Sequence, residues 1–339
     1  IGYINGTLED DKKIDTNHIG SQTIEFLYKD SKGKNKKGTF EVEVVDTTPP
    51  IVLLSNAYTV TVGNNTVLTD VIVSADNYDK NPKREIIGDY DLNQIGSYDV
   101  IYRVTDQSGN TTDVEFTLYV KEKGNTTYEA TYIDFQDVIA TYKNESTKIG
   151  IDVSKWQGNI DFDVVKSSGA EFVIIRVGTG LGFGEESLEA PYFKQNIQGS
   201  IATNLPVGIY YYSYATTREE AKEEAQWVID RIKDYQIDLP IVFDWESWSY
   251  FNGLELSLHD INEIANTFLS EIEKSGYKGM LYGSKYYLQN IWEPTYPVWL
   301  AHYTAKTNYE GDYLLWQLCD NGKINGINGY VDINILYSK

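Results

Sequence analysis

A chain of 339 residues with 41% apolar content can bury a sizeable core and exceeds one ordinary domain, so two or three are expected. Its 29 basic and 50 acidic residues leave a formal charge of −21, which argues against nucleic acid and anionic membranes as partners. Mean hydropathy is −0.39, and no apolar run reaches the roughly 18 residues a membrane helix needs, so no membrane insertion is expected. The chain opens on Ile1 rather than Met and is expected to begin inside a longer precursor, with any export signal outside this sequence. The single cysteine, Cys319, admits no intrachain disulfide and reads as a small apolar residue in a buried strand. His18, His259 and His302 form no metal-ligand spacing, and neither a metal nor another cofactor is expected.

The first 122 residues repeat. Residues 13–46 align without a gap on residues 89–122, sharing Asp15/Asp91, Asn17/Asn93, Ile19/Ile95, Gly20/Gly96, Asp30/Asp106, Gly33/Gly109 and Phe40/Phe116. Each copy carries two alternating apolar runs around a turn. In the second, Tyr98, Val100, Tyr102 and Val104 share one face, Asp106–Asn110 turns the chain, and Val114, Phe116, Leu118 and Val120 return. Lys32, Lys34, Lys36 and Lys37 read as the solvated tip of the first hairpin. Asp46-Thr-Thr-Pro-Pro50 is a stiff extended joint. VDTTPPIV with IGSYDVIYRVTDQSGN resembles the bacterial Ig-like repeats of surface and cell-wall proteins. The resemblance implies an all-β Ig-like sandwich over residues 47–122, a partial module over 1–46, and a spacer role. Residues 123–146 read as a linker with a turn or two of helix at its centre.

From residue 147 the pattern changes to strand-length apolar runs alternating with helical stretches. Strands are expected at 149–154, 172–178, 206–214, 239–246, 279–284, 297–303, 314–319 and 331–336. Residues 218–234 place Ala221, Ala225, Val228 and Ile232 on one helical face. Residues 260–274 do the same with Ile261, Ile264, Ala265, Phe268, Leu269 and Ile272. Eight strands with fewer helices than a full (β/α)₈ design predict a small, irregular TIM-like β/α barrel over 147–339, with its chemistry at the carboxyl ends of the strands.

Acidic residues stand at such ends. Asp152 closes IGID, Asp244 and Glu246 close PIVFDWE, and Asp332 lies within YVDINIL. A carboxylate beside an apolar strand is costly unless paired or functional. Asp244 and Glu246, two apart, face the same way, and paired carboxylates are what glycoside hydrolysis uses. Many of the 28 Tyr and 7 Trp also fall at strand ends. Sugars stack on aromatic faces, so Tyr210, Tyr212, Trp299 and Tyr303 are candidate substrate-binding residues, whereas Tyr214 and Trp316 read as core.

GIDVSKWQGNIDFDVVKSSGAEFVIIRVGTG, LPVGIYYYSYA, PIVFDWES, PVWLAHY and LLWQLCDNGKINGINGYVDIN, in that order, resemble the successive motifs of the glycoside hydrolase family 25 lysozymes. The resemblance implies an N-acetylmuramidase: a monomeric, secreted, extracellular or cell-wall-associated bacterial enzyme. Its substrate would be peptidoglycan glycan strands, cut at the β-1,4 bond between N-acetylmuramic acid and N-acetylglucosamine. It also implies Glu246 as general acid with a raised pKa. Asp244 would stay ionised, stabilising the transition state or orienting the 2-acetamido group, with Asp152 and Asp332 tuning the pair. A chitinase-like glycosidase and a non-catalytic cell-wall glycan-binding protein are the alternatives.

Overall fold

The structure, a computed structural model, describes residues 6–8, 14–16, 18–124 and 131–338. Strands β1 (Gly6–Leu8), β2 (Gly20–Asp30) and β3 (Asn35–Val44) form a three-stranded antiparallel sheet. The lysine run sits at and just beyond the β2–β3 turn, as expected. Along both long strands half-buried residues mostly alternate with exposed ones, and none is fully buried, so this copy forms a hairpin without a closed core of its own.

The second copy is better enclosed. Its elements are β4 (Ile51–Val52), β5 (Ala57–Thr61), α1 (Leu68–Val71), β6 (Ser74–Ala75), β7 (Lys83–Ile87), β8 (Gly96–Thr105) and β9 (Thr111–Lys121). A four-stranded sheet runs β5-β9-β8-β7, and β4 pairs with β6 beside it. Period-2 alternation sends Val100, Tyr102, Val104, Phe116, Leu118 and Val120 inward onto Leu68 and Ile72. This module is seated on the larger C-terminal unit rather than hung from it. The Asn252 amide donates to the carbonyls of Thr69 and Ile72, both at 2.8 Å, and accepts from the Ser74 amide at 3.0 Å. The Leu258 amide donates to the Asp76 carbonyl at 2.7 Å.

Part of the expected linker is likewise built into the larger unit. β10 (Ile133–Asp134) pairs with a barrel strand, and α2 (Phe135–Tyr142), capped by Asp134, buries Phe135 and Val138 against it.

All eight expected barrel strands form: β11 (Thr147–Val153), β12 (Val173–Gly180), β14 (Val207–Tyr212), β15 (Ile241–Asp244), β16 (Gly279–Ser284), β17 (Val298–Ala301), β18 (Leu315–Lys323) and β19 (Val331–Tyr337). A short β13 (Ser187–Glu189) pairs with β12 outside the ring. Helices α3 (Phe162–Ser167), α4 (Phe193–Ala202), α5 (Arg218–Ile232), α6 (Leu258–Lys274) and α7 (Lys285–Asn290) lie between the earlier strands. The starts of α5 and α6 are set by capping boxes, Thr217 with Glu220 and Ser257 with Asp260. The apolar residues of their buried faces are those read from the sequence, and Glu224 and Asn262 are buried beside them.

The TIM-like expectation needs correcting. Neighbouring strands from β11 to β18 run parallel, but β19 runs antiparallel to both β11 and β18 and closes the ring between them. Among the described residues no helix follows β17 or β18. The result is a closed eight-stranded β-barrel with a partial coat of helices. Alternation divides its side chains. Phe172, Ile174, Val242, Met280, Trp299 and Leu315 fill the interior, while Ile175, Ile209, Phe243 and Leu300 face the helices.

Candidate active site

Above the interior plug, at the carboxyl ends of the parallel strands, opens a cleft of about 280 Å³. All four expected acids and all four expected aromatics line it: Asp152, Asp244, Glu246, Asp332, Tyr210, Tyr212, Trp299 and Tyr303. The antiparallel closure explains Asp332. It stands near the start of β19, which lies at the same barrel end as the finish of β11, and it pairs in register with Asp152.

Asp152 and Asp332 are tied together by an amide network. Gln317 Nε2 donates to Asp152 Oδ2 at 2.9 Å and to Asp332 Oδ2 at 3.1 Å. Its Oε1 accepts from the hydroxyls of Tyr282 at 2.9 Å and Tyr303 at 3.1 Å. Asn334 Nδ2 donates to Asp152 Oδ2 at 2.7 Å, and its oxygen accepts from the Trp299 indole at 2.9 Å. Burial, opposed by these donors, leaves the Asp152 carboxyl above its ordinary range. Burial, then the adjacent Asp152 charge, raises Asp332 to about 9, so the pair holds a proton at neutral pH.

The second pair is built differently. Asp244 closes β15 and is 5% exposed, and its buried Oδ1 has no hydrogen-bond partner. Glu246, two residues beyond the strand, reaches solvent through the cleft. Burial and then the Glu246 charge push the Asp244 carboxyl well up, against the pull of Arg176. Burial also raises Glu246, again opposed by Arg176. The raised Glu246 agrees with the sequence expectation. Burial without a donor on Oδ1 disfavours the ionised form expected of Asp244, and Arg176 opposes that effect.

The aromatics divide as well. Tyr303 is 53% exposed at the mouth. Tyr210 and Tyr212 are half-buried, and Arg176 lies over the Tyr212 ring at 4.8 Å. Trp299 is 2% exposed, with Tyr210 and Tyr282 edge-on to its ring at 6.1 and 4.9 Å. It therefore forms the floor under Asn334 rather than a free stacking face, a correction to its expected role. Trp245 and Trp248, also at a strand end, pack away from the cleft.

The sequence reading missed Arg176, Gln317, Asn334 and Tyr282, together with Trp156, which stands exposed at the rim. The first three are polar residues inside apolar runs (FVIIRVG, LLWQLC and VDINIL). The rule that picked out the acids finds them too. Trp156 follows its N-cap Ser154 in a short turn, and no periodicity marks it.

The sequence profile of Glycosyl hydrolases family 25 matches residues 151–327. The chain is 32% identical over 197 residues to the uncharacterized protein YegX of Escherichia coli K12, covering 55% of this chain and 68% of that one. It is 28% identical over 189 residues to the autolytic lysozyme of Clostridium acetobutylicum, covering 55% and 54%. Its fold is similar to that of the modular autolysin LytC from Streptococcus pneumoniae, solved with a synthetic peptidoglycan ligand. There the TM-score is 0.52 at 23% identity, over 70% of this chain and 56% of that one.

Proposed function

The chain belongs to the glycosyl hydrolases of family 25, and on that premise we propose that it cleaves the β-1,4 bond between N-acetylmuramic acid and N-acetylglucosamine in peptidoglycan. It is a glycoside hydrolase. The observation that carries the finer reading is the inequality of two neighbouring acids in one cleft, one sunk and unpartnered, the other reaching solvent.

Glu246 is the general acid. Burial raises its carboxyl, which favours the protonated form a general acid needs, and its exposure lets it meet the leaving oxygen of a bound glycan. Asp244 lies below it. Positive charge growing at the anomeric carbon favours the ionised form of Asp244, which then stabilises that charge or orients the 2-acetamido group. Arg176 assists by drawing both carboxyls down. Asp152 and Asp332 fix the opposite wall through Gln317 and Asn334. Tyr303 and Trp156 offer exposed faces for sugar rings.

Around this barrel we place an Ig-like module over residues 47–122 and a partial one over 1–46. The enzyme acts as a monomer outside the cell or at the wall. Among the described residues no helix is long and apolar enough to cross a membrane.

Release of reducing ends from purified peptidoglycan and from chitin, by the parent protein and by Glu246→Gln, tests the reading. The variant keeps size and hydrogen bonding but cannot donate a proton, so hydrolysis falls roughly 10²- to 10⁴-fold while binding to peptidoglycan persists. Near-parent hydrolysis by Glu246→Gln removes it from the acid role. Equal rates on chitin favour the chitinase-like alternative, and binding without any release of reducing ends favours the glycan-binding one.

A further inference from the structure

Away from the cleft, three acidic residues from distant points of the chain meet in the second β module. Asp46 lies beyond β3, Asp76 beyond β6, and Asp106 in the β8–β9 turn. One carboxylate oxygen from each lies within 4.8 Å of the others, and all three residues are buried. Among the described residues none of the three is in a salt bridge. The nearby Lys80 reaches Asp260 of α6 instead.

Turn chemistry accounts for only part of this. Asp106 accepts from the amide and side chain of Asn110, and Asp46 Oδ1 accepts from the Thr48 amide. Asp30, the counterpart of Asp106 in the first copy, holds its own turn in the same way through Lys32 and Lys34, yet it is not part of such a cluster. A turn-capping aspartate therefore does not need two more carboxylates beside it.

The independent observation is at Asp76, which is 1% exposed. Its Oδ1 accepts from the amides of Tyr78 at 2.9 Å and Asp79 at 2.7 Å, but its Oδ2 is buried without a partner. The neighbouring Asn77 donates from Nδ2 to Asp46 Oδ1 at 3.1 Å, which brings its amide against the cluster, and its Oδ1 is also buried and unpartnered. Two acceptor oxygens without donors, beside three carboxylates, call for a cation.

We propose that Asp46, Asp76 and Asp106, with the Asn77 amide oxygen, form a calcium site. The donors are all oxygen, with no His or Cys among them, which selects a hard cation over zinc. Calcium binds oxygens at about 2.3–2.6 Å, so two ligands of one ion can stand about 4.6–5.2 Å apart, a span that admits this cluster. Magnesium prefers to keep its waters and is seldom held by an all-protein cage. The ion cross-links three loops where the module meets the barrel, since the Asp76 carbonyl accepts from Leu258 at the start of α6. The sequence expectation of no metal rested on His and Cys spacing and passed over carboxylates so far apart in the chain.

The test is calcium titration of the full chain by calorimetry, with thermal unfolding in calcium, magnesium and EGTA. One saturable site per chain is expected. At a hundredfold excess of calcium over its Kd, the unfolding constant should fall about a hundredfold and the melting temperature should rise by several degrees. Asp76→Asn keeps the Oδ1 acceptor and removes one charge. It should weaken calcium at least tenfold, and in EGTA it should melt no lower than the parent, because like charges have been relieved. No saturable heat and no calcium-dependent melting shift in the parent protein overturns the proposal, and this holds even if the variant fails to fold. A calcium shift that survives Asp76→Asn unchanged, or that magnesium matches, also overturns it.

Discussion

Gln317→Met replaces a buried amide with a side chain of similar length and removes all four of its hydrogen bonds at once. The amide orientation is fixed by chemistry. The Tyr282 and Tyr303 hydroxyls can donate to its oxygen, which leaves its N–H groups for the two aspartates. Tyr303 is exposed and can turn to water, so the main losses are the two donors to Asp152 and Asp332. A bond to a charged group is worth about 1.5–3 kcal/mol. Taking the lower figure, because this pair already shares a proton, gives about 3 kcal/mol. For a unit of this size that is a melting shift of about 6–12 °C. Thermal unfolding at neutral pH reads this loss. Dye release from labelled peptidoglycan reads the accompanying disorder of the Asp152 wall, expected as a fall of at least about tenfold. A variant melting within about 2 °C of the parent, with parent activity, would show that the amide network does not hold this wall.

The same geometry sets three further outcomes. Arg176→Met removes the cation that draws Asp244 and Glu246 down, so both carboxyls rise and both limbs of the pH–rate profile move to higher pH; an unmoved profile would exclude Arg176 from their titration. Asp332 is raised from 3.8 to about 9 on folding, so its protonated form favours the folded state, and stability present in acid is lost as pH climbs through that window. Asp332→Asn escapes this loss: it should unfold at higher temperature than the parent near pH 8 and show little difference near pH 4, and a constant offset across pH would contradict the raised carboxyl. Phe135 and Val138 cover barrel surface, so a fragment starting at residue 131 should melt well above one starting at 147, and equal melting would show α2 to be dispensable.

The parts legible in the sequence were those carried by periodicity. Eight apolar runs became the eight barrel strands, and the apolar residues on the buried faces of α5 and α6 were read correctly because their spacing is regular and long, while buried Glu224 and Asn262 carry no such signal. α3, α4 and α7 escaped: each has ten residues or fewer, and only a few of their positions are buried, too few to show a period. The direction of β19 was also hidden, since an apolar strand reads the same whichever way it runs, and its antiparallel pairing with β11 and β18, which sets Asp332 beside Asp152, emerges only in the fold. Among the site residues, strand-end acids were found because a charge in an apolar run is conspicuous. Arg176, Gln317 and Asn334 carry the same signal and were passed over for their residue type alone. Trp299 shows the opposite limit. Residue type and strand position cannot tell a stacking face from a floor, because that depends on the neighbours across the barrel.

Mass spectrometry of the fragments released from purified peptidoglycan bears on the central claim most directly. Borohydride reduction before analysis marks the sugar that carries each new reducing end. The account predicts that label on N-acetylmuramic acid, in fragments produced by the parent protein and not by Glu246→Gln. Label on N-acetylglucosamine, or intact glycan strands with cleaved peptide stems, would contradict it.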